Sequence, residues 1–416
     1  MLRVYLHNDE VGQLTQDERR FLSFQYNERA LDKPEMSAIS VRLPIRPESY
    51  DDRSCRPFFE NLLPESDIRD LLAVAQKFDP SDTILLLGAI GGECAGAVSV
   101  WPEGSSPEHP HRYEECTHEQ IKSLFEDTHT AEVVEVHLRT RQSLSGAQDK
   151  LVFRRNGYEY FIPLAGAPSN VILKRPKERF RGLVQNELAC MLLMEKAGLP
   201  IAESRVSVAW SGLFESLRYD RVQAEDGIIL RLHQEDFCQV SGKGEARKYQ
   251  GRGGPDLGVI RSLLERYSSL AIEDVEYLLR WMIANMCLGN NDAHAKNLSI
   301  LYSDKGIRLA PVYDTVSTVV YPFIDNTLAI YLGGRDHFEA IDTTAFRKFS
   351  RSLGYPKPNF PRAVAEEVID AIISSIDDVC HAVVETAGFH AILDEISTQV
   401  RLRSNRFREV LSSLSV

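Results

Sequence analysis

"GNNDAHAKNLSI", residues 289–300, places three carboxamides, a carboxylate, an imidazole and an ammonium close together before the chain turns apolar again. The residues on both sides argue against a merely solvated loop. Upstream, "IEDVEYLLRWMIANMCLG" sets Val275, Leu278, Leu279, Met282, Ile283 and Met286 at the spacing of one buried helix stripe, and Gly289 ends that helix. Downstream come an apolar strand "LSILYS", a turn at "SDKG", a second strand "IRLAPV", and Asp314 in "VYDTVS". The order is therefore carboxylate (Asp292), carboxamide (Asn297), β-hairpin, carboxylate (Asp314).

That order suits phosphoryl transfer. One carboxylate faces the attacking hydroxyl, while an Asn and a second Asp hold the magnesium that bridges nucleotide phosphates. The D-x-x-x-x-N spacing also occurs in the protein-kinase catalytic loop, with "NND" here in place of HRD and "YDT" in place of DFG. Such a site requires a nucleotide-binding lobe upstream. In "SLSGAQDK", residues 143–150, small residues precede a strand, so backbone amides could approach phosphates, although an ordinary turn reads the same way. Lys174 lies on the apolar strand "VILKRP", where a lysine is costly unless its head reaches an anion, and Glu187 in the following helix is a candidate partner.

The chain has 416 residues, beyond the length at which a single core usually stops growing, so two lobes are expected. Hydrophobic content of 43% and charged content of 26% are those of a globular protein. The opening "MLRVYLHNDEVGQL" lacks the basic start and apolar run of a signal peptide, and no stretch approaches the ~20 apolar residues of a membrane span. A cytoplasmic protein without membrane association is expected. Seven cysteines, scattered and never in a CxxC pair, point to reduced thiols. A net charge of -12 disfavours unaided binding to nucleic acid, so any DNA contact is expected through a basic partner.

Residues 1–101 read as a small mixed module with strands at "LRVYL" and "FLSFQY" and a helix at "SDIRDLLAVAQKF"; residues 102–112 are the linker candidate. From 113 to 240 the pattern is strand-rich, with a hairpin around Asn156 and Gly157 and one helix, "GLVQNELACMLLMEKAGLP". Residues 241–416 read as mainly helical. "GKGEARKYQGRGG", residues 242–254, lacks the strand-to-helix context of a phosphate loop and reads as a mobile activation-like loop anchored by Tyr249. "RLRSNRFREVL", residues 401–411, is basic at helical spacing and could meet DNA or an acidic partner, though such runs are more often solvated faces.

Taken together, "SLSGAQDK", "ILKRP", "NELACMLLMEKAGLP", "RYDR", "HQEDFCQ", "KY...GGP", "NNDAHAKNLS", "PVYDTVS" and the early "FFENLLPES" resemble the HipA family of serine/threonine kinase toxins. The resemblance implies a two-lobed protein-kinase-like α/β (α+β) fold, with a β-rich N-terminal lobe and a mainly α-helical C-terminal lobe. It implies that Asp292 is the catalytic aspartate, that Asn297 and Asp314 bind Mg2+, and that Lys174 contacts the phosphates of ATP. Ser145, Gly146, Ala147, Gln148, Asp149 and Lys150 would form the phosphate loop. Glu235, Asp236 and Phe237 would form the adenine hinge, and His294, Ala295 and Lys296 would join Asn297 in further nucleotide contacts. Self-inactivation by autophosphorylation is implied at Ser143, with Ser145 a second candidate. The implied partners are a HipB-like helix-turn-helix antitoxin, operator DNA mainly through that antitoxin, and a protein substrate of the aminoacyl-tRNA synthetase kind, particularly glutamyl-tRNA synthetase. The rival readings are a small-molecule phosphotransferase and a noncatalytic corepressor bound to a DNA-binding antitoxin.

Overall fold

Alternation in "LRVYL" turns Val4 and Leu6 to one face, and that face is buried in the core beneath the first sheet. The computed structural model describes residues 1–33, 36–65, 67–107, 110–126, 131–144 and 149–414. Contacts divide the chain into one unit of residues 1–175, 207–245 and 301–303, and another of 176–206, 246–300 and 304–416.

In the first unit, the strands Leu22–Tyr26, Asp9–Gln16, Leu2–Leu6 and Val98–Pro102 lie side by side in that order, all antiparallel. Their inner face packs on the helices Asp52–Glu60 and Thr83–Ile90, with Phe24, Phe59 and Leu87 wholly buried. Burial of one such side chain contributes roughly 1.5–3 kcal/mol. Asp51 and Asp82 start these helices by accepting the backbone N–H groups of Ser54 and Leu85. Ser66, at the expected start of the next helix, lies outside the described residues; the helix itself runs Asp67–Gln76.

A second sheet of the same unit carries Phe214–Leu217, Val171–Arg175, Asp149–Asn156, Glu159–Pro163 and Tyr113–Cys116 in that order. The expected hairpin is present, with Asn156 opposite Glu159 and Gly157 at φ +60°. Two helices, His118–Glu126 and Ala131–Thr140, were not expected in this strand-rich stretch. Each spans only two or three turns, so its apolar stripe is short; Ile121, Phe125 and Val136 nevertheless bury against Phe153 and Tyr160. The start of the linker candidate is also structured, because Pro102 ends a strand paired with Leu2.

The same unit holds a buried charge cluster. Glu93 accepts hydrogen bonds from Arg218 (2.8 Å), Arg221 (3.1 Å), Arg231 (2.6 Å) and both the backbone and hydroxyl of Ser169. Asp220 completes it by pairing with Arg218 at 2.8 Å and Arg221 at 2.9 Å. Burial opposes the charge on Glu93, yet the three guanidinium groups reverse the sign and hold its carboxyl down at about 2. Glu93 also lies in a short parallel strand pair, opposite Gln142, with Cys94 opposite Ser143.

The second unit is helical. Leu183–Lys196, read in the sequence with the β-rich lobe, belongs here and packs on Asn359–Ala387. The helix Ala271–Leu288 was expected to bury one stripe, but every residue from Trp281 to Leu288 is buried. It is enclosed by Leu257–Tyr267, Asn359–Ala387 and Ile392–Ser412, so its last two turns have no solvent face. Arg403 on the last helix reaches inward and donates from Nε to the Met286 carbonyl at 2.7 Å, with its guanidinium 3.7 Å from the Phe338 ring centre. The remaining arginines of the basic run meet acidic neighbours in the same unit: Arg401 with Asp377, Arg406 with Glu409, and Arg408 with Asp370. Among the described residues, no helix is long and apolar enough to cross a membrane.

Candidate active site

The buried helix Ala271–Leu288 delivers the polar loop, and Gly289 at φ +70° turns the chain out of it. A Cβ at that position would stand 2.3 Å from Val319 Cγ2, so only glycine fits both the backbone and the space. Asn290 then binds back to the helix, donating from Nδ2 to Asn285 Oδ1 at 2.7 Å, and its Oδ1 accepts the Asp292 N–H at 3.1 Å. Asn291 donates its N–H to Thr318 Oγ1 at 2.9 Å and its side-chain amide to the Asn326 carbonyl at 3.1 Å. The two asparagines therefore shape the loop.

Asn297 is buried and donates from Nδ2 to the Asp292 carbonyl at 3.0 Å, closing the five-residue span between them. This bond fixes the carboxamide, leaving Oδ1 as its oxygen donor. Tyr313 donates to the Lys296 carbonyl at 2.6 Å and shares a 2.7 Å hydrogen bond with Ser299 Oγ. Asp314 follows at φ +56°, a conformation uncommon for any residue but glycine. The loop and the segment bearing the second acid are thus tied through neighbouring residues. An Asn oxygen and a carboxylate are hard donors of the kind Mg2+ accepts while keeping several waters. His294, Ala295 and Lys296 are buried, and the His294 ring meets Tyr249 edge-on at 5.3 Å. Tyr249 itself donates to Asp292 Oδ1 at 2.8 Å.

In the first unit, Lys174 is buried and stands directly opposite Lys150 on the neighbouring strand, with Phe214 opposite on the other side and Nζ 5.3 Å from its ring centre. Ser145, Gly146, Ala147 and Gln148 lie outside the described residues, and Asp149 begins the strand that carries Lys150. Ser143 is buried and its hydroxyl donates to the Leu62 carbonyl at 2.7 Å. Glu187, the proposed partner of Lys174, is buried on Leu183–Lys196 in the second unit.

The side chains of the expected hinge are committed to structure. Glu235 is fully buried; its Oε1 accepts the Val41 N–H at 3.0 Å and the Tyr302 hydroxyl. Asp236 caps the helix Phe237–Ser241 in a reciprocal box with Gln239, and Phe237 is buried. What these residues offer a ligand is therefore their main chain. Burial pushes the Glu235 carboxyl up to about 7, above its ordinary value of 4.5. An acid raised on folding contributes stability that is present in full below its unfolded value and lost as pH rises through the folded one. Wild type should therefore lose up to roughly 3 kcal/mol relative to Glu235→Gln between pH 4.5 and 8. Urea unfolding of both proteins across that range checks this, and a constant difference would contradict it.

Two features escaped the sequence reading. "KY...GGP" was singled out, but nothing in its spacing shows that Tyr249 reaches Asp292 across 43 positions. "RYDR" was likewise noted without its buried partner Glu93, because that contact spans 125 residues.

A β-rich unit bearing opposed lysines and a helical unit bearing Asp292, Asn297 and Asp314 define a protein-kinase-like fold. Its comparison with known proteins is specific: the HipA-like C-terminal domain matches residues 142–380 and the HipA N-terminal domain matches residues 2–101, so the chain belongs to the HipA family of kinase toxins. The protein Y4mE of Sinorhizobium fredii is 33% identical over 414 residues, covering 97% of this chain and 98% of its own. The serine/threonine-protein kinase toxin HipA of Shewanella oneidensis is 29% identical over 341 residues, covering 75% of this chain and 77% of that one. The structure of Shewanella oneidensis HipA with HipB and operator DNA superposes over the whole of both chains with a TM-score of 0.86 at 22% identity. The fold is accordingly the two-lobed kinase-like one expected.

Proposed function

We propose that this protein transfers the γ-phosphoryl group of ATP to a serine or threonine of a protein target and acts as a growth-arresting toxin in the cytoplasm. The observation that carries this reading is the loop in which Asn297 binds the Asp292 carbonyl while Tyr313 ties the segment of Asp314 to Lys296. Asp292 accepts the proton of the attacking hydroxyl as the new P–O bond forms and the bond to the β-phosphate oxygen breaks. Asn297 and Asp314 would hold Mg2+, which would supply charge neutralisation for the phosphates. Lys150 and Lys174 orient those phosphates together with the backbone of residues 145–150, and the main chain of Glu235 to Phe237 receives the adenine. In this reading the β-rich part of residues 113–240 forms the nucleotide-binding lobe, residues 1–101 form an N-terminal module, and residues 241–416, joined by the helix Leu183–Lys196, form the catalytic lobe.

The target class proposed is an aminoacyl-tRNA synthetase, with glutamyl-tRNA synthetase first among candidates, so that translation stops and dormancy follows. A HipB-like antitoxin neutralises the toxin and carries it to operator DNA, in keeping with the complex formed by the Shewanella oneidensis protein. Ser143, or Ser145, takes up phosphate in self-inactivation. A phosphoserine adds roughly -1.5 to -2 charge, which repels ATP from the same loop.

Incubation of the full chain with Mg2+, radiolabelled ATP and purified glutamyl-tRNA synthetase is expected to label the synthetase and the segment 143–145. Label passing only to small metabolites would replace this reading with a small-molecule phosphotransferase. A chain that binds its antitoxin but leaves ATP intact would replace it with a corepressor.

A further inference from the structure

The segment "GKGEARKYQGRGG" was expected to be a mobile loop, yet in the second unit its residues from Lys248 onward are fastened on several sides. The Lys248 carbonyl accepts Ala295 N–H at 3.2 Å, and Gln250 donates its N–H to Ala329 at 2.9 Å while its Oε1 accepts Tyr331 N–H at 2.8 Å. The Tyr249 carbonyl accepts the N–H groups of Arg252 and Gly254, both at 2.9 Å. A Cβ on Gly254 would lie 2.5 Å from the Arg247 carbonyl and 2.8 Å from that of Tyr249, so the turn closes only around glycine. The Tyr249 ring is bounded by the edge of His294 at 5.3 Å, by Arg252 at 5.3 Å and by Lys248 at 5.5 Å. A phenol held this way has one direction for its hydroxyl, and that direction is Asp292 Oδ1 at 2.8 Å.

We infer that Tyr249 is a positioning residue for phosphoryl transfer: by engaging Oδ1 it stops rotation of the Asp292 carboxylate and presents Oδ2 to the incoming hydroxyl. This rests on the proposed role of Asp292. The main chain of Asp292 is set by Asn290 and Asn297, but those bonds leave the carboxylate free to turn about its last torsion. The phenol removes that freedom. A carboxylate fixed before substrate arrives does not have to be ordered during the reaction, so the bond acts on turnover and not on nucleotide affinity.

Tyr249→Phe keeps the ring packing and removes only Oη. Its kcat should fall about 10- to 100-fold, the effect of one hydrogen bond to a charged group, while KM for ATP stays within about twofold. An unchanged or raised kcat overturns the inference, the latter showing that the phenol occupies the place of the substrate hydroxyl. A parallel loss in KM also overturns it. Should wild type transfer no phosphate at all, the functional reading fails, and the hydrogen bond is then judged by carbon NMR of protein labelled with [4-13C]aspartate. The resonance deleted by Asp292→Asn should move in Tyr249→Phe, and an unmoved resonance overturns the inference whatever the enzyme does.

Discussion

Asp292→Ala should abolish labelling of both the chain and its protein target, a fall of about 10²–10⁴-fold or more in turnover. The loss is chemical and not structural. The amide framework of the loop consists of Asn285, Asn290, Asn291 and Asn297 and touches only the main chain of Asp292, so the alanine variant keeps every one of those bonds. Its melting temperature and its affinity for ATP should therefore stay near those of wild type. Rate, melting and nucleotide binding measured on one preparation separate these outcomes. Undiminished labelling would remove Asp292 from the catalytic role and with it the reading of the loop.

Glu93→Gln should destabilise the first unit by about 3–5 kcal/mol, the largest stability effect foreseen for this chain. The substitution preserves shape but leaves Arg218 and Arg221 with Asp220 as carboxylate partner in the cluster and takes from Arg231 the carboxylate it meets there. Side chains of Arg218 and Arg221 are at most 2% exposed, so water cannot replace what is lost. The sign with pH follows from the depressed carboxyl: its stabilisation is complete above about 4.5 and disappears as pH falls through about 2. Urea denaturation at neutral pH tests the magnitude. Glu114→Gln, which removes the exposed pair with Arg139, serves as the contrast and should cost no more than about 1 kcal/mol. Equal effects for the two variants would refute the argument.

Much of this architecture was legible in local sequence pattern. Alternation exposed the strands Leu2–Leu6 and Leu22–Tyr26, a turn pair exposed the hairpin at Gly157, and helical spacing exposed Leu183–Lys196 and Ala271–Leu288. Each signal lies within one element, where side-chain period reports the buried face. The short helices His118–Glu126 and Ala131–Thr140 were missed because two or three turns give too few repeats of that period. The order of Asp292, Asn297 and Asp314 was readable for the same local reason, since one loop and one hairpin set it. Tyr249 and Glu93 were not, because their partners are fixed by tertiary folding over tens to hundreds of residues. Full burial of Trp281 to Leu288 likewise depends on three helices packed around it and leaves no mark in their own spacing.

The carboxamide framework around Asp292 makes the loop indifferent to ionic strength. Its bonds run between neutral amides, a threonine hydroxyl and backbone carbonyls, none of which is screened by dissolved salt. If Lys150 and Lys174 hold phosphate as proposed, added potassium chloride should weaken that attraction without moving the aspartate. Salt becomes a dial that separates recruitment of the nucleotide from the chemistry performed on it.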